Sequence, residues 1–155
     1  MYKRIFVPID GSKTANLGLK EALRLARQQG ASVCLFHAVD EFFFAAAGEG
    51  VMVTEEVFRS LRDTGRKILA KAEALARKSG VRVRTVLVET MAGPAADAIV
   101  REAKKWKADL IVMGTHGRRG VRRIVMGSDA EQVLRETPVP VLLVRGRPAR
   151  SRLTD

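Results

Sequence analysis

Short β-branched or aromatic runs alternate with longer stretches of helical periodicity along the chain, and this alternation limits the possible folds more than any other feature. "KRIFVPI" (residues 3–9), "SVCLFHAV" (32–39), "VRVRTVLV" (81–88), "DLIVMG" (109–114) and "VPVLLV" (139–144) each read as a strand. A helix is predicted after each of the first four. In the first helix, Leu19, Ala22, Leu23 and Ala26 recur at helical spacing, Ser12 is placed to cap the N-terminus, and Gly30 stands where a left-handed C-cap belongs. Thr54, Glu55 and Glu56 open a long second helix whose apolar stripe runs through Val57, Leu61, Ile68, Leu69, Ala72 and Leu75 towards Gly80. "AGPAADAIVREAKKW" is a third, with Pro94 in its first turn and Trp106 closing it onto the core, and "SDAEQVLRE" is a short fourth.

Strands that regularly alternate with helices form a parallel sheet with right-handed crossovers, because a parallel connection must cross over one face. The fold class is therefore α/β: a single-domain open sheet with helices on both faces. The third strand, with partial alternation, suits an edge position. No internal repeat or interdomain linker interrupts the pattern. In such sheets ligands bind beyond the carboxyl ends of the strands, where strand order reverses. This directs attention to "PIDGS", "HAVD" and "MGTHG", at the ends of strands one, two and four.

Lys and Arg number 28 against 17 Asp and Glu, a net charge of +11 that favours anionic partners. Much of the excess lies on helix faces and in a basic tail, residues 146–155, expected to be flexible beyond a domain spanning 1–145. The six Phe, one Trp and one Tyr are not interleaved with the basic clusters as a base-stacking platform requires, which argues against a nucleic-acid module. No apolar run approaches the roughly 18 residues needed to cross a bilayer, and the opening residues lack a secretory pattern, so no membrane insertion and a cytoplasmic location are expected. The single Cys34 is expected to be a small buried residue of a strand, and His37 a structural one.

The segment after the fourth strand, "GTHGRRGVRRIVMGS", carries most of the functional information. Neither G-x-x-x-x-G-K-[ST] nor a G-x-G-x-x-G after the first strand is present. Gly114, Gly117 and Gly127 instead allow backbone amides to turn towards an anion, and Gly127-Ser128 leads into a helix whose N-terminal amides and dipole favour phosphate. Ser128-Asp129-Ala130-Glu131 is also a capping box, a second reading in which Ser128 and Glu131 satisfy the helix start by themselves. Asp129 suits the helix dipole better than it suits a magnesium ligand, and His116 reads as a solvated loop side chain. No nucleophile, base or carboxylate pair is placed by a local motif, so no catalytic residue is assigned.

With "VPIDGS", "LFHAVD", "GPAADAI" and "ADLIVMGTHG" in order, and G-x2-G-x9-G-[ST] intact from Gly114 to Ser128, the sequence resembles the universal stress proteins, specifically their ATP-binding subgroup. The resemblance covers Tyr2 to about Arg145. It implies five parallel strands in order 3-2-1-4-5, with ATP, accompanied or not by Mg2+, over the ends of strands one and four. Pro8 and Ala38 would line the adenine pocket, Met113 would flank the base, and Asp10 would accept hydrogen bonds from the ribose hydroxyls. Gly114, Gly117, Gly127 and Ser128 would hold the phosphates, with Arg118 and Arg119 the arginines taken as phosphate contacts among Arg118, Arg119, Arg122 and Arg123. The expected role is nucleotide-dependent regulation in the stress response, with at most weak ATP hydrolysis. A homodimer is expected through the fifth strand, Val139 to Val144, because an apolar edge strand invites another strand. Residues 41–53, with three consecutive phenylalanines, are read either as a flap near the adenine or as a cover for the core.

Overall fold

The computed structural model describes residues 1–40, 54–90, 93–115 and 126–146. Nine elements alternate as the sequence predicts: β1 (Arg4–Pro8), α1 (Lys13–Gln29), β2 (Ser32–Val39), α2 (Glu55–Lys78), β3 (Arg82–Glu89), α3 (Ala95–Lys105), β4 (Leu110–Gly114), α4 (Ser128–Glu136) and β5 (Val141–Val144). The strands form one sheet in the order β3-β2-β1-β4-β5, every pair parallel. β3 is an edge strand, as its alternation suggests, and β5 is the opposite edge.

Alternation along the strands divides the core in two. Ile5, Val7, Val33, Leu35, Leu110 and Val112 face α1 and α2, meeting Leu19, Ala22, Leu23 and Ala26 of α1 and Leu69, Ala72 and Ala76 of α2. Phe6, Cys34, Phe36, Ile111 and Met113 point the other way, onto Ala96, Ile99 and Ala103 of α3 and Ala130 and Val133 of α4. Trp106 closes α3 as expected, its ring centroid 6.5 Å from that of Phe6. The predicted caps of α1 are both present: the Ser12 hydroxyl accepts from the Ala15 amide at 3.1 Å, and Gly30 takes the left-handed conformation with φ 63°.

Beyond one-residue shifts at the ends of β1, β3 and β4, two features differ from the sequence reading. β5 starts at Val141 rather than Val139, because Pro140 has no N–H to donate to a ladder. In α2 the apolar stripe is buried only along Gly65, Leu69, Ala72 and Ala76, whereas Val57 and Leu75 are exposed. Near the start of this helix Arg62 pairs with Glu55 on its own helix and with Glu89 at the end of β3.

Candidate functional site

The chain leaves β1 through α1 on one face and leaves β4 through α4 on the other, so a crevice opens between the carboxyl ends of these neighbouring strands. Three residues expected to meet a base converge beside it. Pro8 is paired with Phe36, which places Ala38 one step further along the same face of β2. Phe6 is paired with Ile111, and continuing that register sets Pro8 beside Met113. Pro8 and Ala38 are half-buried, while Met113 belongs to the core and has only 6% of its surface exposed.

Asp10 follows at once, half-buried, and its Oδ1 accepts from the Ser12 amide at 2.9 Å. This Asx turn leads the chain into the Ser12 cap of α1, so the carboxylate shapes the turn.

Gly114 ends β4 against the start of α1. A Cβ there would lie 2.7 Å from the Thr14 carbonyl carbon and 2.9 Å from the Ala15 nitrogen, so the helix backbone occupies the space of a side chain. Gly18 repeats the close approach one turn on, 3.3 Å from the Gly114 nitrogen by the same construction. Packing alone therefore requires Gly114, and any contact it makes with an anion runs through its backbone.

Beyond Gly114, the Thr115 amide donates to the Val144 carbonyl at 3.1 Å, and the Thr115 carbonyl accepts from the Gly127 amide at 2.8 Å. One hydrogen bond thus joins the two ends of the loop, bringing Gly114 and Gly127 together. Gly117, Arg118 and Arg119, with His116, Arg122, Arg123 and the 41–53 segment, lie outside the described residues.

At the start of α4 the capping-box reading is overturned. Gly127 is the N-cap: its carbonyl accepts the first helical bond from the Glu131 amide at 3.0 Å, and it has no side chain with which to cap the helix. Ser128 is already helical and exposed, and Glu131 turns forward to Arg135, 2.7 Å away, instead of back. Asp129 lies in the first turn, where its charge complements the dipole. Among the described residues no group of three or more His, Cys, Asp or Glu side chains could hold a metal.

The universal stress protein family profile matches residues 1–145. The chain belongs to this family. Universal stress protein MJ0531 of Methanocaldococcus jannaschii is 37% identical over 148 residues, covering 94% of this chain and 83% of the relative. A universal stress protein from Thermus aquaticus is 35% identical over 148 residues, covering 94% of this chain and all of the relative. Among solved structures, protein MJ0577, which shares the name of an M. jannaschii universal stress protein, superposes with TM-score 0.83 at 27% identity over 95% of this chain and 98% of the other. The universal stress protein of Archaeoglobus fulgidus, solved in complex with dAMP, superposes with TM-score 0.67 at 26% identity over 92% of this chain and 98% of the other.

One feature of this universal stress protein is not readable from the sequence, the contact that His37 makes. His37 is buried, with Nδ1 2.7 Å from the carbonyl of Ile9, the residue before Asp10. A lone polar residue in the apolar strand "SVCLFHAV" was the available signal, but its partner is 28 positions away. Cys34 is fully buried as expected, and that burial pushes its thiol up to about 11.

Proposed function

We propose that this universal stress protein is an adenine-nucleotide-binding regulator that takes ATP across the ends of β1 and β4. One observation carries the reading: the spaced glycines of G-x2-G-x9-G-[ST] run between two points joined by a hydrogen bond and end at an α4 N-terminus whose cap residue, Gly127, has no side chain. N-terminal amides and the positive end of a helix dipole favour a phosphate. The A. fulgidus relative in complex with dAMP supports adenine as the base.

In this reading Pro8, Ala38 and Met113 border the adenine, and Asp10 accepts from the ribose hydroxyls. The backbone around Gly114, Gly117, Gly127 and Ser128, with Arg118 and Arg119, takes the phosphates. Mg2+ would be held chiefly by the triphosphate. Occupancy shifts the conformation or partner affinity of a cytoplasmic homodimer joined through β5, by differential affinity for two states; hydrolysis is at most slow.

Equilibrium titration of the purified protein with ATP and GTP tests the assignment, together with mass analysis of small molecules released on denaturation. Tighter binding of ATP is expected. Equal or tighter binding of GTP removes the adenine assignment, and binding of neither removes the nucleotide reading.

A further inference from the structure

The buried imidazole of His37 stands between the segment that follows β1 and helix α2. On one side, Nδ1 lies 2.7 Å from the Ile9 carbonyl. A carbonyl oxygen only accepts, so Nδ1 carries the proton. The Ile9 amide in turn donates to the Phe36 carbonyl at 2.8 Å, so consecutive residues of β2 hold both polar groups of Ile9. Ile9 is therefore the last fixed point before the turn in which Asp10 receives the Ser12 amide. On its other side the ring lies against α2 where that helix lacks a side chain. A Cβ on Gly65 would come 2.6 Å from His37 Cδ2 and 3.0 Å from Nε2, so the ring cannot tip unless the helix moves.

A histidine kept only to fill the core needs some acceptor, and any nearby carbonyl would serve. Here the acceptor immediately precedes the carboxylate expected to read the ribose, and α2 locks the ring that supplies the donor. We propose that His37 is a positioning residue: through the Ile9 carbonyl it fixes the Asp10 turn for recognition of the ribose hydroxyls, with Gly65 of α2 setting the angle of its ring. This rests on the assignment of Asp10 to the ribose under the proposed function.

Two substitutions separate positioning from packing. His37→Phe keeps most of the ring volume and loses the donor, whereas His37→Asn loses volume but places an amide N–H near the position of Nδ1. Against ATP, His37→Phe is expected to bind about tenfold more weakly, the scale of one lost buried hydrogen bond, while binding 2′,3′-dideoxy-ATP within about twofold of the unsubstituted protein. His37→Asn is expected to bind ATP as the unsubstituted protein does, although its smaller side chain makes it the less stable variant. Affinity and stability thus rank the two variants in opposite orders. If both nucleotides weaken together, or affinity follows stability, His37 is a packing residue and the proposal fails.

A readout without nucleotide covers failure of the binding assignment itself. The Ser12 amide resonance is expected to shift in His37→Phe and to stay in place in His37→Asn. If the unsubstituted protein binds neither nucleotide, the ribose role falls with the proposed function, and the Ser12 resonance still decides whether His37 holds the turn. Should His37→Phe fail to fold, Gly65→Ala presses on the same ring from the helix side and is expected to give the same selective loss for ATP; equal losses for the two nucleotides overturn the proposal.

Discussion

Replacing Gly114 with Ala tests whether this glycine is required by the fold before any ligand arrives. The new methyl group would sit 2.7 Å from the Thr14 carbonyl carbon and 2.9 Å from the Ala15 nitrogen and Thr14 oxygen. Non-bonded heavy atoms settle at about 3.5 Å or more, so the first turn of α1 would have to retreat by roughly 0.8 Å. It cannot do so freely, because Leu19, Ala22, Leu23 and Ala26 fix the helix in a core in which none is more than 4% exposed. Overpacking costs about 1–3 kcal/mol. The upper end is expected here, since the obstacle is backbone and not a side chain that can rotate. For a chain of this size, a loss of about 3 kcal/mol lowers Tm by roughly 6–12 °C. Chemical denaturation of the nucleotide-free protein measures it. A loss below about 0.5 kcal/mol, the range of an ordinary surface change, would refute the packing argument and leave the glycine to the ligand alone.

Ser12→Ala is expected to cost about 1 kcal/mol as a lost cap, and Ser128→Ala almost nothing in unfolding experiments, because only Ser12 caps its helix. The Cys34 thiol, raised from 9.0 to about 11, holds its proton in the folded state at pH values where the unfolded chain has released it. Stability should therefore fall as pH rises from 9 to 11, and the fall should be absent in Cys34→Ala; a flat profile in the parent protein would contradict the burial argument. For Arg118→Ala and Arg119→Ala, the phosphate assignment predicts a large loss of ATP affinity, a smaller loss for AMP and almost none for adenosine. If the proposed dimer forms through β5, Asp substitutions at Val141 and Leu143 are expected to convert it to a 17.0 kDa monomer in sedimentation.

Features settled by near neighbours in the chain were legible in the sequence, and those settled by distant ones were not. The Ser12 and Gly30 caps act within a few residues, and the alternation that fixes strand and helix types is equally local. Periodicity over-extends the stripe of α2 to Val57 and Leu75, because it records which side of a helix is apolar but not how much of that side a partner covers. Ser128 fitted a capping box by spacing, yet the helix begins one residue earlier than that motif requires, with Gly127 accepting the first bond. Pro8, Ala38 and Met113 could be placed on one face only once the strand order was known, and family resemblance rather than residue pattern supplied that order. Two contacts had no local trace: Gly114 meets α1 a hundred positions upstream, and His37 reaches back to Ile9.

The division of the core between the two faces of the sheet also has a temporal meaning. Apart from Leu110, Val112 and the β5 contacts, the side covered by α1 and α2 is built from residues 2–87. Among the described residues the other side has only Phe6, Cys34, Phe36, Ala38, Val86 and Val88 before residue 96. A chain emerging from the ribosome N-terminus first can assemble β1, β2, β3 and their two helices while the opposite face, including both phenylalanines, still lies open to water. β4 must then dock against β1, where the backbone amides of Lys3 and Arg4 bind the Asp109 carboxylate more than a hundred residues later. Closing a span that long is slow compared with local steps. Until it closes, the nascent sheet shows water a sticky aromatic surface, and that interval is when this protein is most exposed to aggregation and has most use for a chaperone.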